Sequence, residues 1–430
     1  MTTRTIVPAT YALAAATVAT GAANHAVTGL VPALVDGLHL PLAVVGQLNT
    51  AFGLASGIAA PIIGVLTAHW SRRRVLLAGL LLTVAGNAVA AVAPSFVFLI
   101  AARILAGLGS AAAMAAALGQ AAELNAPGHR ARAMAVVIGG LTFALATAPP
   151  LAALTAAHHG PALVFAALTA VAVAALAVAR TVLPEQAPDA APVPFAGRLR
   201  AVALPGIRPI LTAKFLISAA AFAVQTYLTA LISTYSPAQM LAAYGAGAVL
   251  GTHLGGRAAD RHGPRATATA AIAAQVATFA VWPLLGPTPV AIALPFAAGV
   301  AFWAAQPAYV RQLTDTARDQ APAVLSIDSS VIFAGMAAGG LIGAIQPAHA
   351  FAVWLPVSCS ILSAAALGGG VFSGKNPFRA CVSWPFTRVV SDTNSAWPDP
   401  RQGVPTRSTR QSPRKRSRRS KTPAPISGSR

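Results

Sequence analysis

Four ionisable side chains lie inside long apolar runs of this chain: His25, Arg103, Lys214 and Asp328. A charge in hydrocarbon is costly, so each is read first as functional. The chemistry on offer is proton movement and ion pairing. The sequence has no Walker-type phosphate loop, no Cys/His metal spacing and no nucleophile elbow, so no cofactor, no metal site and no enzyme are expected. Lys214 and Asp328 each stand just inside a run that begins on the same side, so they should reach similar depth and pair. A structural ion pair and a proton-linked switch both fit, and removing either partner would strand the other charge. Arg103 stands about seven residues into its run, ~10 Å by helical rise. His25 belongs to the side-chain class that titrates near neutral pH; it is either a proton carrier or a hydrogen-bonded core histidine.

A second set of candidates lies in a charged turn between two runs, Gly256 to Arg265, which reads GRAADRHGPR. A weaker copy, GVLTAHWSRR, occupies Gly64 to Arg73. Gly256 at the end of a run would let a neighbouring helix approach closely. Asp260 beside Arg261 and Arg265 can form charge-assisted bonds that latch one conformation, with Gly263 in the turn. The alternative is that these arginines only fix topology. A third set, Asn24, Gln47, Asn49, Gln225, Tyr227, Trp303 and Gln306, is expected to line a central cavity, with Tyr227 and Trp303 foremost. Glu123 is expected at an interface.

The elements that position these residues follow from composition. The chain of 430 residues is 56% hydrophobic and only 9% charged, against about 25% charged in soluble domains. Several Ala/Leu/Val/Gly runs exceed the ~20 residues that cross hydrocarbon. The reading is an all-α integral membrane protein. Its net charge of +20 divides unevenly: from Lys375 onward there are 13 Lys/Arg and 2 acidic residues. The other basic residues sit in short loops, not on one folded face, so nucleic acid is not an expected partner. Two cysteines, Cys359 and Cys381, make no disulfide framework. The first apolar run is preceded only by Arg4 and leads into further runs, so it reads as a span and not a cleaved signal.

Twelve spans follow, near Thr10–Leu34, Ala43–His69, Val75–Ala93, Phe96–Ala122, Ala133–Ala156, Pro161–Leu183, Ile210–Ser233, Ala238–Arg257, Thr267–Leu285, Val290–Val310, Val324–Ile345 and Phe351–Phe372. They divide into a six-helix bundle over residues 1–183, a Pro-rich cytoplasmic linker over 184–209, a second bundle over 210–373, and a basic tail over 374–430 whose composition cannot bury a core. Turns after even-numbered spans carry Arg72–Arg73–Arg74, Arg130 and Arg132, Arg198, Arg200 and Arg208, then Arg257, Arg261 and Arg265, and Arg311 and Arg318. Turns after odd-numbered spans, including Pro287 and Pro347, hold no Lys or Arg. That alternation places both termini in the cytoplasm.

The six-plus-six layout resembles the parallel repeat of the major facilitator superfamily, specifically its bacterial twelve-span drug:proton antiporters and sugar-efflux relatives. Particular stretches carry the resemblance. Gly29-Leu30-Val31-Pro32 resembles the exit of the family's first span, and Leu66-Thr67 with Arg72-Arg73-Arg74-Val75-Leu76-Leu77 its efflux-type second loop. Gly86-Asn87 with Ala93-Pro94-Ser95-Phe96, and Ala101-Ala102-Arg103-Ile104-Leu105-Ala106-Gly107, are similar to its third and fourth spans. Gly140-Leu141-Thr142, leading to Pro150-Leu151, resembles a degraded fifth-span signature, and Gly256–Arg265 the family's loop signature. The resemblance implies a proton-coupling role for Arg103. The first-half loop departs at Ala68, His69 and Ser71, which puts a symmetrical pair of latches in doubt. The first span departs too: Asn24-His25 stands where relatives carry an acid and an aromatic, which leaves His25 as the titratable group there.

The expected function is export of a small amphipathic compound, drug-like and proton-coupled, by alternating access. The alternatives are a sugar or metabolite efflux permease, or a transporter-like membrane scaffold working through the tail. Expected partners are a small-molecule substrate, protons and membrane lipids, with the protein monomeric in the cell inner membrane.

Overall fold

The computed structural model describes residues 6–371 apart from 68, 186–199, 201, 233, 286–287 and 347. Ala68, Arg198 with most of the linker, Ser233, Pro287, Pro347 and the tail lie outside the described residues.

Among the described residues there are twelve long helical segments. The first four are α1 (Ala9–Leu38), α2 (Gln47–Leu66), α3 (Arg72–Ala91) and α4 (Phe96–Leu124). The run Arg130–Val182 is helical throughout except at Gly160, whose φ of 79° and ψ of 166° lie where only glycine is comfortable. Pro161 follows and suits the first turn of a new helix, so the run is α5 (130–159) and α6 (161–182). Then come α7 (Ile207–Thr226), α8 (Pro237–His262), α9 (Pro264–Leu285), α10 (Ala293–Ala317), α11 (Ala321–Ala344) and α12 (Phe351–Val371).

Local chemistry fixes several ends. Ser71 caps α3 by accepting from the backbone N–H of Arg74, and α8 opens on a reciprocal capping box between Ser236 and Gln239. Gly263, at φ 85°, turns the chain from α8 into α9. Two spans are shorter as regular helix than expected. A separate turn, Leu42–Val45, precedes α2, and α7 stops at Thr226 before a second short turn, Leu228–Leu231.

Among the described residues ten helical runs are long and apolar enough to cross a membrane, counting 130–182 once; α8 falls short because glycines, Thr252 and His253 dilute it. Leu81, Phe143, Leu151 and Ile361 face outward, each more than half exposed, which in water would be an uncovered patch and in lipid is solvated.

Packing repeats between the halves. In the first, α1 lies on α5, α2 on α4, and α3 against α4 and α6; in the second, α7 lies on α11, α8 on α10, and α9 against α10 and α12. The halves meet where α2 packs on α11 and α5 on α8, a pairing that one two-fold operation exchanges. Small residues allow these contacts: a Cβ on Gly335 or Gly339 would strike Ser218 or the backbone of α7, and one on Gly245 the backbone at Ala146.

The buried cores separate by depth. At the end bearing the arginine-rich turns each half keeps its own core, Leu13, Leu76, Ala117 and Val137 in one, and Ile207, Leu211, Leu313 and Val324 in the other. At mid-depth Phe52 and Ala106 join Phe222 and Phe302. At the opposite end Leu145 and Ala153 join Tyr227, Leu228, Met240 and Leu241. The halves are therefore cemented at the middle and at the arginine-free end, and separately cored at the other.

Candidate functional site

Arg103 on α4 is 1% exposed. Its Nη1 donates to the carbonyl of Ala23 at 2.6 Å and its Nη2 to that of Asn24 at 3.3 Å, both on α1. The guanidinium lies 4.3 Å from the centroid of the Phe52 ring on α2, a cation–π contact. Among the described residues no carboxylate pairs with it, and its Nε has no partner. Asn24 is buried and its Oδ1 is likewise unmatched. His25, next in line, is 5% exposed and lies within electrostatic reach of Arg103. Sequence reading singled out Arg103 and the Asn24-His25 pair separately, without bringing them together; it gave no sign that Phe52 completes the cluster, because an aromatic in an apolar run looks like core.

Phe52 also joins the cluster to the other half, packing 6.3 Å from Phe333 of α11. One helical turn away, Asn49 donates from Nδ2 to Thr226 Oγ1 on α7 at 3.1 Å, and its Oδ1 is unpaired. Gln225, beside Thr226, is 3% exposed with Oε1 unpaired. Gln47 donates to the Gly340 carbonyl and Thr50 to that of Ala337, both at 3.3 Å, so the α2–α11 seam is stitched by side chains on backbone. Trp303 is partly buried against Phe302, ring centroids 5.5 Å apart, and Gln306 bonds back to its own helix. Mid-depth therefore holds several buried polar atoms without protein partners, a condition that invites water or ligand.

Tyr227 is placed differently from a cavity residue. It is fully buried, donates to the Gly340 carbonyl at 2.7 Å and packs edge-on to Phe351. A Cβ on Gly46 or Gly343 would strike its ring. It plugs the seam at the closed end.

Lys214 on α7 and Asp328 on α11 pair as their depths required: Nζ lies 2.6 and 2.7 Å from the two carboxylate oxygens, with Lys214 at 0% exposure. Asp328 thus answers Lys214 and not Arg103.

At the arginine-rich end the expected bonds from Asp260 to Arg261 and Arg265 are not formed. Asp260 pairs with Arg311 of α10 at 2.6 Å, and neither Arg261 nor Arg265 has an ion pair among the described residues. The reason is geometric: Arg261 follows Asp260 on the helix and points away from it, and Arg265 lies beyond the Gly263–Pro264 break. Gly256 is also not the close-approach glycine, since a Cβ there meets nothing; a Cβ on Gly255 would strike the Ala304 carbonyl of α10. In the first half Arg72 pairs with Glu123 at 2.5 Å, and Arg73 donates to the Arg180 carbonyl at 2.6 Å. Arg74 pairs with Glu185 at 2.8 Å, and Gly64 lies half-buried near the end of α2. Every one of these ion pairs stays within one half or its adjoining linker.

A model of the Major Facilitator Superfamily matches residues 13–344. The chain belongs to the major facilitator superfamily. A chloramphenicol resistance protein of Streptomyces lividans is 29% identical over 352 residues, covering 79% of this chain and 89% of that protein. A chloramphenicol efflux pump of Mycobacterium tuberculosis is 25% identical over 355 residues, covering 79% and 86%. The crystal structure of the human organic anion transporter MFSD10 shares the fold, with a TM-score of 0.66 at 18% identity, covering 85% of this chain and all of that one. This facilitator is thus a multi-pass membrane transporter for small molecules, from a family of transporters and not of enzymes.

Proposed function

We propose that this transporter exports a small amphipathic, drug-like compound in exchange for protons. The observation that carries the reading is the buried guanidinium of Arg103, held on the α1 carbonyls beside Asn24 and His25 with no carboxylate among the described residues to neutralise it. A buried charge without a counter-charge is maintained against a large desolvation cost, and a membrane protein keeps one where ions or protons pass. The unpaired oxygens of Asn24, Asn49 and Gln225 supply hydrogen-bond capacity for the substrate near the same depth, with Trp303 as an aromatic wall.

The halves, 1–183 and 210–373, act as rocking bodies joined by the 184–209 linker. Their separate cores at the arginine-bearing end, which we assign to the cytoplasm on the charge alternation, fit a state open to the cell interior. Proton binding near His25 and Arg103 or at Asp328 would favour one state over the other, and the substrate's differential affinity would do the rest. We assign the protein to the cell inner membrane as a monomer with both termini cytoplasmic. The similarity to proteins named for chloramphenicol supports the substrate class.

The test is uptake into everted vesicles or proteoliposomes. An imposed proton gradient should drive accumulation of amphipathic drugs, chloramphenicol among them, and not of sugars; accumulation that ignores the gradient, or of sugars alone, overturns the reading. Removing residues 373–430 should leave transport intact, whereas loss of function would favour a scaffold acting through the tail.

A further inference from the structure

Arg208, at the start of α7, is exposed and has neither an ion pair nor a hydrogen bond among the described residues. Two apolar grooves converge on it along adjoining faces of that helix. The first, about 560 Å³, lies between α2, α7 and α11 and is walled by Leu54, Ile58, Leu211, Phe215, Ile327 and Val331. The second, about 270 Å³, runs between α7 and α12 along Leu216, Ala365 and Ala366. Arg208 and Thr212 line both. No side chain caps α7, so the positive end of its dipole adds to the field of the guanidinium.

The chemistry of this arrangement is that of a two-tailed anion: one cation at the head, two separate apolar channels below it. Arg208 stands at the end shared by the arginine-rich turns, where headgroups of anionic lipid concentrate near basic residues, and guanidinium matches phosphate geometry better than ammonium does. We propose that α7 is straddled by an anionic glycerophospholipid, with its phosphate on Arg208 and one acyl chain in each groove. The first groove takes its α2 wall from one half and its α7 and α11 walls from the other, so a lipid seated there touches both halves and stabilises whichever state leaves the groove open. The proposal needs only that the protein is embedded in lipid and does not depend on what it transports.

The test uses the full chain purified in mild detergent, supplied with equal phosphatidylglycerol and phosphatidylcholine, with retained lipid measured by native mass spectrometry. Phosphatidylglycerol should be preferred, and Arg208→Gln should cut the preference about fivefold, the factor expected for one basic residue at an anionic surface. Arg208→Lys should keep part of it. Arg265→Gln, an exposed arginine at the same end, should leave it unchanged. Ala366→Phe, which narrows the second groove, should weaken retention of the two-chain lipid but not of its lyso form. Equal loss with Arg265→Gln, no effect of Arg208→Gln, or displacement by inorganic phosphate alone would overturn the site; displacement by a transported drug without any headgroup preference would make the grooves a substrate path instead.

Discussion

Among the described residues two Lys/Arg cations are fully buried, one in each half, and the halves treat them differently. Lys214 is answered by both oxygens of Asp328, so α7 and α11 are riveted by a pair whose charges cancel. Among the described residues Arg103 is answered by two carbonyl dipoles of α1 and the face of Phe52. A neutral pair is at rest; a lone guanidinium retains capacity to bind an anion or to respond to a proton beside it. The first half therefore carries the more responsive charge and the second the better-satisfied one. Packing tells the same story, since Phe52, the residue under the guanidinium, also touches the opposite half at mid-depth.

The sharpest way to break this contrast is to remove one member from each site. Lys214→Met leaves Asp328 buried without its partner and should destabilise the protein by about 3–5 kcal/mol, read as a lower unfolding temperature in detergent. Lys214→Met with Asp328→Leu should recover most of that loss. If the single variant is as stable as the parent, the pair is not the rivet described here. Arg103→Met strands no charge, so stability should change by no more than about 1–2 kcal/mol. Transport per folded molecule should fall roughly tenfold or more, about 1.4 kcal/mol of barrier. Arg103→Lys should not restore it, because one ammonium cannot reach both carbonyls and stack on Phe52. Stability loss equal to that of Lys214→Met with transport unchanged would make Arg103 a structural pin.

A finer test concerns the proton itself. If His25 carries it, His25→Gln should flatten the pH dependence of transport while leaving unfolding temperature nearly unchanged. A pH profile that survives in the variant would move the carrier to Asp328, and Asp328→Asn would then be the variant that flattens it.

Much of the architecture was legible because lipid imposes simple rules. Runs of apolar residues had to be helices, and arginines alternating between turns counted them, down to the charge-free turn that Gly160 and Pro161 make between α5 and α6. The Lys214–Asp328 pair was legible because both residues enter their spans from the same side. The ends of α2 and α7 were not: between them Tyr227 donates to Gly340 and crowds Gly46 from across the seam, and no local signal announces that contact. The partner of Asp260 was also hidden, since Arg311 lies 51 residues away and adjacent arginines seemed sufficient. Which glycine made the helix contact turned on a single residue of phase, Gly255 and not Gly256, finer than the motif resolves.

The smallest expected effect comes from the arginine-bearing end of the second half, where Asp260 and Arg311 are 76% and 45% exposed. An ion pair that wet is worth about 0–1 kcal/mol, so Asp260→Asn should barely move the unfolding temperature. Its interest lies in rate. The pair ties α8 to α10 within one half, at the end where the two halves keep separate cores, so breaking it should loosen that end of the second half and alter turnover severalfold without altering substrate affinity. Arg311→Gln should do the same, and the double variant should be no worse than either single one, since each removes the same bond. The first half has no counterpart carboxylate in its loop and uses Glu123 and Glu185 from neighbouring segments instead. Swapping the defect there, with Glu123→Gln, should therefore act additively with Asp260→Asn. Strict non-additivity between those two would mean that the arginine-bearing ends of both halves move as one gate, and the contrast between the halves would then stop at mid-depth.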